Sequence, residues 1–346
     1  MKTKVTLLLV GIILITIISG CMTTGSTITE SMATESPTKD IKVGEASTKT
    51  FEGKKILYID SYNAGYEWSD GETRGIENIL NNTGVELKIL RMDTRRNDSE
   101  DFGKQAGMRA KSVLEDFRPD VVITSDDPAF KYVIMPYYRD AALPVVFSGI
   151  NWDVSIYGGP YENTAGMIEV SLTPQLISYL KEYSKGDRIG FIAGNTATDR
   201  KNAEYYTKLY NINFTRKYHV TTFEEWKRDF LKLQEEVDIV ILENNAGITD
   251  WDNNEAQAFV LENTKIPAGA TMDWMPPYSL IGMTKIAEEQ GEWSATTALR
   301  ILGGTRPSDI PIVTNKKVRL YLNLKIAEKL GVIINPEILK NAEIIQ

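Results

Sequence analysis

The feature that most constrains the fold is an alternation, from residue 55 onward, of short apolar runs with segments of helical spacing. The run "KILYID" precedes helix-like "DGETRGIENILNN", and the pattern repeats through the strand-like runs "VELKILRMD", "PDVVITSD" and "LPVVFSGIN". Strands that are apolar almost throughout are typical of parallel sheets covered by helices on both faces. Because crossovers in such sheets are right-handed, the pattern predicts a doubly wound α/β layer.

The alternation restarts after "TAGMIEV", with strand-like "DRIGFIAGN", "NFTRKYHV", "VDIVILENN" and "KIPAGAT" separated by helical segments. A long amphipathic helix follows over about residues 286–303. The roughly 295 residues from Phe51 onward suffice for two domains. We therefore predict two doubly wound parallel-sheet domains. The segments "GPYENTAGMIEV", "YSLIGMTK" and a third near residues 308–314 are predicted to cross between them as a three-strand hinge.

The N-terminus has the order of features found in a bacterial lipoprotein signal peptide. Lys2 and Lys4 precede an apolar run from Val5 to Ile18, which is shorter than the about 20 residues of a membrane span. Small residues then stand directly before Cys21, the only cysteine of the chain. We predict a signal peptide over residues 1–20 and lipidation of Cys21, which places the protein on the extracytoplasmic face of the cell membrane; an uncleaved anchor helix is the alternative.

Residues 21–50 are rich in Ser and Thr without an apolar period, which is typical of a flexible tether. Removing residues 1–20 lowers the Lys and Arg count from 39 to 37 against 47 Asp and Glu, so the net charge changes from −8 to −10. No basic stripe is present. Nucleic-acid binding is therefore disfavoured.

Ligands of doubly wound sheets bind beyond the carboxyl ends of the strands. The segments that follow the predicted strands share small hydroxyls, amides, a few carboxylates and aromatic rings, which suit a small polar molecule. The candidate ligand-binding residues in these segments are Ser61, Tyr62, Asn63, Tyr66, Trp68, Ser125, Asp126, Ser148, Asn151, Gly194, Asn195, Asn244, Asp273 and Trp274. If Asp126 or Asp273 faces the cleft unpaired, we expect a ligand that carries an amine.

Structural roles compete with ligand binding at several of these positions. Ser69 and Asp70 precede a predicted helix and are expected to cap it, as is one of the adjacent Asp126 and Asp127. The aromatic rings could equally serve domain packing. Trp226 and Trp293 are expected to lie in the core or an interface.

Catalytic patterns are weak in this chain. The one histidine, His219, ends a predicted strand, and no nucleophile elbow, phosphate-binding loop or zinc motif occurs. As adjacent strand-end residues, Asp126 and Asp127 should diverge, which argues against a paired-carboxyl site. We therefore expect a protein that is not an enzyme, with no cofactor and no metal.

Three segments resemble the substrate-binding lipoproteins of ABC importers, namely "LPVVFSGIN", "ALRILGGTRPSDIPI" and "LYLNLKIAEKLGVIINPEILKNAEII". The segment "SYNAGYEWSDGETRGIENIL" is similar to members found near, or fused to, membrane sensor proteins. The resemblance covers about residues 54–345. It implies a type I periplasmic-binding fold, with one lobe formed by residues 51–165 plus 283–307 and the other by residues 166–282 plus 308–346.

The resemblance also implies a function. The expected protein is a monomeric, membrane-anchored receptor that binds a small polar or aromatic amino-acid-like ligand between its lobes and delivers it to ABC permease and ATPase subunits. One alternative is a sensory lipoprotein with the same cleft that signals to a membrane kinase or chemoreceptor and transports nothing. A second alternative is an extracytoplasmic enzyme, whose activity would depend on His219.

Overall fold

The computed structural model describes residues 50–346, which belong to one compact unit. The predicted signal peptide, Cys21 and nearly all of the predicted tether lie outside the described residues. Among residues 50–346, no helix combines the length and apolar character needed to cross a membrane.

The first half of the described chain alternates strands with helices. Its elements are β1 (Lys55–Asp60), α1 (Glu67–Leu80), β2 (Glu86–Arg91), α2 (Glu100–Phe117), β3 (Val121–Ser125), α3 (Asp126–Ala129), a π-helical turn (Phe130–Ile134), α4 (Met135–Tyr137), β4 (Val145–Asn151), a 3-10 turn (Val154–Tyr157) and β5 (Thr164–Glu169). Strands β1, β3 and β4 are almost wholly buried, as their continuous apolar runs predict.

The second half repeats the alternation and ends in shorter elements. These are α5 (Thr173–Lys181), β6 (Ile189–Gly194), α6 (Ala197–Tyr210), β7 (Phe214–Val220), α7 (Phe223–Glu236), β8 (Ile239–Leu242), α8 (Asn253–Asn263), β9 (Ala268–Ala270), a 3-10 turn (Pro276–Tyr278), β10 (Ile281–Lys285), α9 (Ala287–Leu302), a 3-10 turn (Pro307–Asp309), β11 (Val313–Thr314), β12 (Val318–Asn323), α10 (Leu324–Leu330), α11 (Pro336–Asn341) and β13 (Glu343–Ile345).

The strands form two sheets, each of which organises one lobe. The first sheet has the order β11-β5-β4-β3-β1-β2 and is parallel throughout, and the second has the order β13-β12-β10-β9-β8-β6-β7. Only the β10–β12 pair of the second sheet is antiparallel. The predicted fold class of two doubly wound α/β layers is confirmed.

The chain passes between the two lobes three times. It leaves the first sheet after β5 and returns after β10, then leaves again after β11, at residues 170–172, 286 and 315–317. Helix α9 packs on α1 so closely that a Cβ on Gly291 would lie 2.0 Å from the backbone oxygen of Glu72. The first lobe therefore includes α9, whose Ala295 and Ala298 share a core with β1.

Helix starts follow local capping chemistry in some places and tertiary contacts in others. Helix α7 begins with a capping box between Thr222 and Glu225, and Trp226 behind it is buried as predicted. The predicted caps of α1 are wrong, because the helix begins at Glu67. Ser69 instead donates to the Asp60 carboxylate at 2.9 Å, inside the first turn.

Candidate ligand-binding site

A cavity of about 270 Å³ lies between the lobes, at the carboxyl ends of the strands. The first lobe contributes Tyr62, Tyr66, Glu67, Trp68, Asp126, Asn151 and Glu169 to its lining. The second lobe contributes Thr271, Met272, Asp273, Trp274, Thr284, Lys285 and Arg319. The return to the first lobe adds Ile286, Ala287 and Glu288. Both lobes therefore face one small space.

Half of the residues predicted from the sequence line this cavity. They are Tyr62, Tyr66, Trp68, Asp126, Asn151, Asp273 and Trp274. These residues lie at or shortly after the carboxyl ends of β1, β3, β4 and β9, in loops, in the first turns of α1 and α3, and at the last position of β4. The parallel arrangement brings their carboxyl ends together, as expected for ligand sites of doubly wound sheets.

The other seven predicted residues lie outside the lining, and they are Ser61, Asn63, Ser125, Ser148, Gly194, Asn195 and Asn244. In the first lobe, buried serines bond to neighbouring strands. The Ser61 hydroxyl donates to the Ser125 carbonyl at 2.5 Å and accepts from the Ala129 amide at 2.8 Å. The Ser125 hydroxyl bonds to the Tyr58 hydroxyl at 3.0 Å. These hydroxyls bond to neighbouring elements of the first lobe and do not line the cavity.

The three predicted residues of the second lobe that lie outside the lining are engaged in local turns. The Asn195 carboxamide oxygen accepts from Arg200 at 3.0 Å, and the Asn244 oxygen accepts from the Ala246 amide at 2.8 Å. A Cβ on Gly194 would lie 2.0 Å from the Ala246 carbonyl oxygen, so this glycine allows a close approach of two loops.

The loop after β1 is held in shape by the Asp60 carboxylate. Asp60 is fully buried, forms an ion pair with Arg91 and accepts from the Tyr62 amide at 2.9 Å. This anchoring sets the Tyr62 and Tyr66 rings edge to face, with centroids 5.5 Å apart. The Arg95 guanidinium lies over the Tyr66 ring, 4.1 Å from its centroid. The aromatic rings after β1 thus form a rigid wall of the cavity.

Asp126 is the most exceptional group in the lining. Its backbone adopts φ 62, in the left-handed region, and its carboxyl is buried. One oxygen accepts from the Trp68 indole at 3.2 Å. No group among the described residues donates a hydrogen bond to the other oxygen, Oδ2. Burial, followed by the carboxyls of Glu72, Glu169 and Asp60, raises the pKa of Asp126 well above its usual value.

Gly149 makes room for this arrangement. It has φ 69 and lies where the β4–β5 register shifts, and a Cβ there would come within 2.9 Å of the Asp126 carboxylate. The adjacent Asp127 points elsewhere. It accepts from the Asn151 side chain at 3.0 Å and from the Tyr157 hydroxyl at 2.7 Å, and it lines a separate cavity of about 230 Å³. The two acids diverge, as expected from their adjacent positions in the sequence.

An ion pair between Glu169 of β5 and Lys285 of β10 joins the lobes at the floor of the cavity. Both side chains are largely buried. Burial lowers the pKa of the Lys285 ammonium, but Glu169, Glu243 and Tyr66 together raise it by more, so the net shift is upward. The ammonium also lies 5.5 Å from the centroid of the Trp68 ring. Lys285 is therefore a fixed cation in the cavity.

The second-lobe wall rests on a buried carboxyl, Glu243. It accepts from the Tyr206 hydroxyl at 2.9 Å, the Asn202 amide at 3.1 Å and the Thr271 hydroxyl at 2.8 Å. Burial raises its pKa. Because Thr271 lines the cavity, this network fixes one side of the site. Nearby, the hydroxyl of Thr284 is buried without a partner among the described residues.

The remaining candidates for chemistry lie outside the cavity lining. His219 is half-buried, and its pKa is lowered by burial and then by Arg200. Within residues 50–346, no group of three or more His, Cys, Asp and Glu side chains is placed to hold a metal ion.

The sequence analysis missed Glu169, Thr284, Lys285 and Arg319. Glu169 and Lys285 are the last residues of the apolar strands β5 and β10, which cross toward the other lobe. A charged residue that ends a crossing strand was therefore the available signal. Arg319 lies in β12, and nothing in its local sequence distinguishes it.

Two α/β lobes, three crossings and a cavity at the strand ends define a type I periplasmic-binding fold. The chain belongs to the ABC transporter substrate binding protein family, whose model matches residues 69–345. Among curated proteins, no sequence match is found.

Solved structures show the same fold at low sequence identity. A ligand-free, open substrate-binding protein with adhesive properties from Clostridium difficile is 16% identical, with a TM-score of 0.64 over 85% of this chain and 99% of that one. An ABC domain from Streptococcus pneumoniae in complex with L-Trp is also 16% identical, with a TM-score of 0.52 over 84% and 99%. A periplasmic ribose ABC transporter protein from Conexibacter woesei is 13% identical, with a TM-score of 0.54 over 82% and 97%.

Proposed function

We propose that this protein is a lipid-anchored, extracytoplasmic solute-binding protein that captures a small polar or aromatic amino-acid-like ligand and delivers it to an ABC importer. The observation that carries the proposal is the composition of the cavity between the lobes. Four aromatic rings, the Asp126 carboxyl and the Lys285 side chain line one space of about 270 Å³, and one Asp126 oxygen has no donor among the described residues.

The size and charge of the cavity match that class of ligand. Pockets for drug-sized molecules start at about 300 Å³, so this cavity suits a smaller molecule. The cavity lining contains aromatic rings, among them Tyr62, Trp68 and Trp274. Such rings offer a large contact area with little loss of side-chain entropy on binding. Carboxylates and cations in one lining suit a zwitterion better than a multiply anionic ligand.

A ligand that contacts both lobes can change the conformation of the protein. A ligand that contacts both walls favours the conformation in which the walls are close, by the difference in its affinity for the two conformations. We infer that this conformation presents a surface of both lobes to the permease. The anchor at Cys21 would keep the protein near the membrane.

A thermal-shift screen of the full-length chain, freed of bound ligand by unfolding and refolding, tests the proposal. The panel contains amino acids, nucleosides, sugars and amines. A ligand at 100 times its dissociation constant adds about 2.7 kcal/mol, which for about 300 residues raises Tm by about 4 °C. We expect amino acids to give this shift.

Two surface-ring variants provide the matched comparison. Trp274→Ala removes a half-exposed ring of the cavity, and Tyr137→Ala removes an exposed ring outside its lining. The shift should shrink in the first variant and persist in the second. A shift of equal size in both variants, or shifts from sugars alone, would contradict the proposal.

A further inference from the structure

Two buried carboxyls of the first lobe have no cation beside them. The neighbouring acids are paired, because Asp60 contacts Arg91 and Glu169 contacts Lys285. Asp126 and Glu72 have no ion pair among the described residues. Burying an ionised carboxyl without a partner is costly, so such groups need a proton or a cation.

Asp126 belongs to the cavity lining but is almost fully buried. Its side chain lines the cavity, yet the residue is only 3% exposed. Oxygen Oδ1 accepts from the Trp68 indole, and Oδ2 has no donor within the described part of the chain. Asp126 thus lines the cavity and carries a buried acceptor that lacks a donor, and buried acceptors of this kind call for a hydrogen-bond partner.

Glu72 lies behind the same wall, in α1. It is fully buried, and its side chain accepts from the Ser148 hydroxyl at 3.5 Å, a long contact. Its oxygen Oε2 and the nearby Gln290 amide nitrogen both lack partners among the described residues. Gln290 in turn accepts from the Gly149 amide at 3.2 Å, beside Asp126.

Several titratable groups from different elements act on Asp126. They are Tyr58 and Asp60 of β1, Tyr62 and Tyr66 of the following loop, Glu72 of α1, Asp127 of α3 and Glu169 of β5. Lys285 of β10 and Arg319 of β12 line the same cavity. Burial comes first among the causes that raise the pKa of both unpaired acids, and neighbouring carboxyls raise it further. Of the cations in the cavity lining, Lys285 is paired with Glu169 and Arg319 with Glu343. Because neither carboxyl has a cation beside it among the described residues, burial favours the protonated form of Asp126 and of Glu72 in the empty site. We refer to these two carboxyls as the Asp126–Glu72 pair.

We propose that the ligand carries a cationic group that pairs with Asp126 Oδ2, and that its binding releases one proton from the Asp126–Glu72 pair to solvent. The O–H bond of the carboxyl breaks, the proton leaves to water, and the cation replaces it as the partner of the carboxylate. The inference rests on the proposed function, and it adds the charge of the ligand and the linkage to pH.

This exchange makes affinity depend on pH. Where one full proton is released, the dissociation constant falls about tenfold for each unit of rising pH. A neutral or anionic ligand would leave the carboxyl protonated and would show no such slope.

Calorimetry on the full-length chain tests the inference with three matched probes, L-phenylalanine, phenethylamine and 3-phenylpropanoate. Titrations in phosphate and in Tris report the proton count, because the two buffers differ in ionisation enthalpy. We expect both amines to bind with release of about one proton, and the acid to bind at least 10-fold more weakly. If the acid binds best, or an amine binds without proton release, the inference fails and the proposed function stands. If none of the three binds, both fail.

Variants separate the charge effect from folding. Asp126→Asn should weaken phenethylamine binding by about 10- to 100-fold and abolish proton release. Asp309→Asn, in an exposed turn outside the lining, should change neither. Glu72→Gln should retain binding and release less proton, because the Glu72 charge that raises the pKa of Asp126 is gone. Glu72→Gln keeps Asp126, so it tests the inference even if Asp126→Asn does not fold. Proton release equal to that of the wild type in Glu72→Gln would overturn the inference.

Discussion

The indole nitrogen of Trp152, which follows β4 in the first lobe, donates to the Asn202 side-chain oxygen in α6 of the second lobe at 2.9 Å. The indole also stacks on Tyr205, with ring centroids 5.6 Å apart. The same Asn202 donates to Glu243, which holds Thr271 of the cavity wall. One contact between the lobes is thereby linked to the ligand site.

This linkage gives a first prediction, for Trp152→Phe. The phenyl ring keeps most of the stacking but leaves the buried Asn202 oxygen without its donor, which costs about 1–3 kcal/mol. Urea denaturation should report that loss. Tyr210→Phe, which removes a hydroxyl beside the same indole, serves as the control, and equal stability of Trp152→Phe and wild type would argue against the linkage.

The ion pair that joins β5 to β10 gives a second prediction. Lys285→Met leaves Glu169 buried without a cation and should cost about 3–5 kcal/mol. The double variant Glu169→Gln with Lys285→Met removes both charges and should recover most of that loss. A double-mutant cycle by chemical denaturation measures the coupling; additive losses would show that the two groups do not interact.

Glu72 gives a prediction on pH and stability. Burial raises the pKa of Glu72, so the folded chain holds a proton that the unfolded chain releases above about pH 4.3. The unfolded state then binds fewer protons, and wild-type stability falls as pH rises toward the folded pKa. Glu72→Gln removes that decline. The Tm of the variant relative to wild type should rise between pH 5 and pH 8, and a constant difference would contradict the assignment.

The lipid anchor gives a prediction outside the described residues. Cys21→Ser removes the thiol that the predicted lipoprotein signal requires. After cell fractionation, wild-type protein should be recovered with membranes and label with palmitate, whereas the variant should not label. Cleavage and labelling that persist in Cys21→Ser would contradict the prediction.

The fold could be predicted from the sequence because parallel strands are read from continuous apolar runs. Strands such as β3 and β4 are buried on both faces, so their continuous apolar composition alone predicts a buried strand. The capping of α1 could not be read in the same way. Ser69 has the residue type of a cap, yet its hydroxyl bonds to Asp60 from the preceding strand.

The site could be predicted only where its residues lie in the segments that follow the predicted strands. Tyr62, Trp68 and Asp126 follow strands closely and are found by that rule. Ser61 also follows a strand, but its hydroxyl does not line the cavity. It donates a hydrogen bond to the buried backbone carbonyl of Ser125, which needs a donor. Lys285 ends a strand that crosses between lobes, so its place in the cavity depends on how the lobes assemble.

The most direct test of one ligand held between two lobes is hydrogen exchange of the full-length chain with and without saturating L-phenylalanine. The account predicts slower amide exchange in the first lobe at residues 62–68 and in the second at residues 271–274, in the same titration. Asp126→Asn should lose both effects together. Slowed exchange confined to one lobe, or to segments outside the cavity lining, would contradict it.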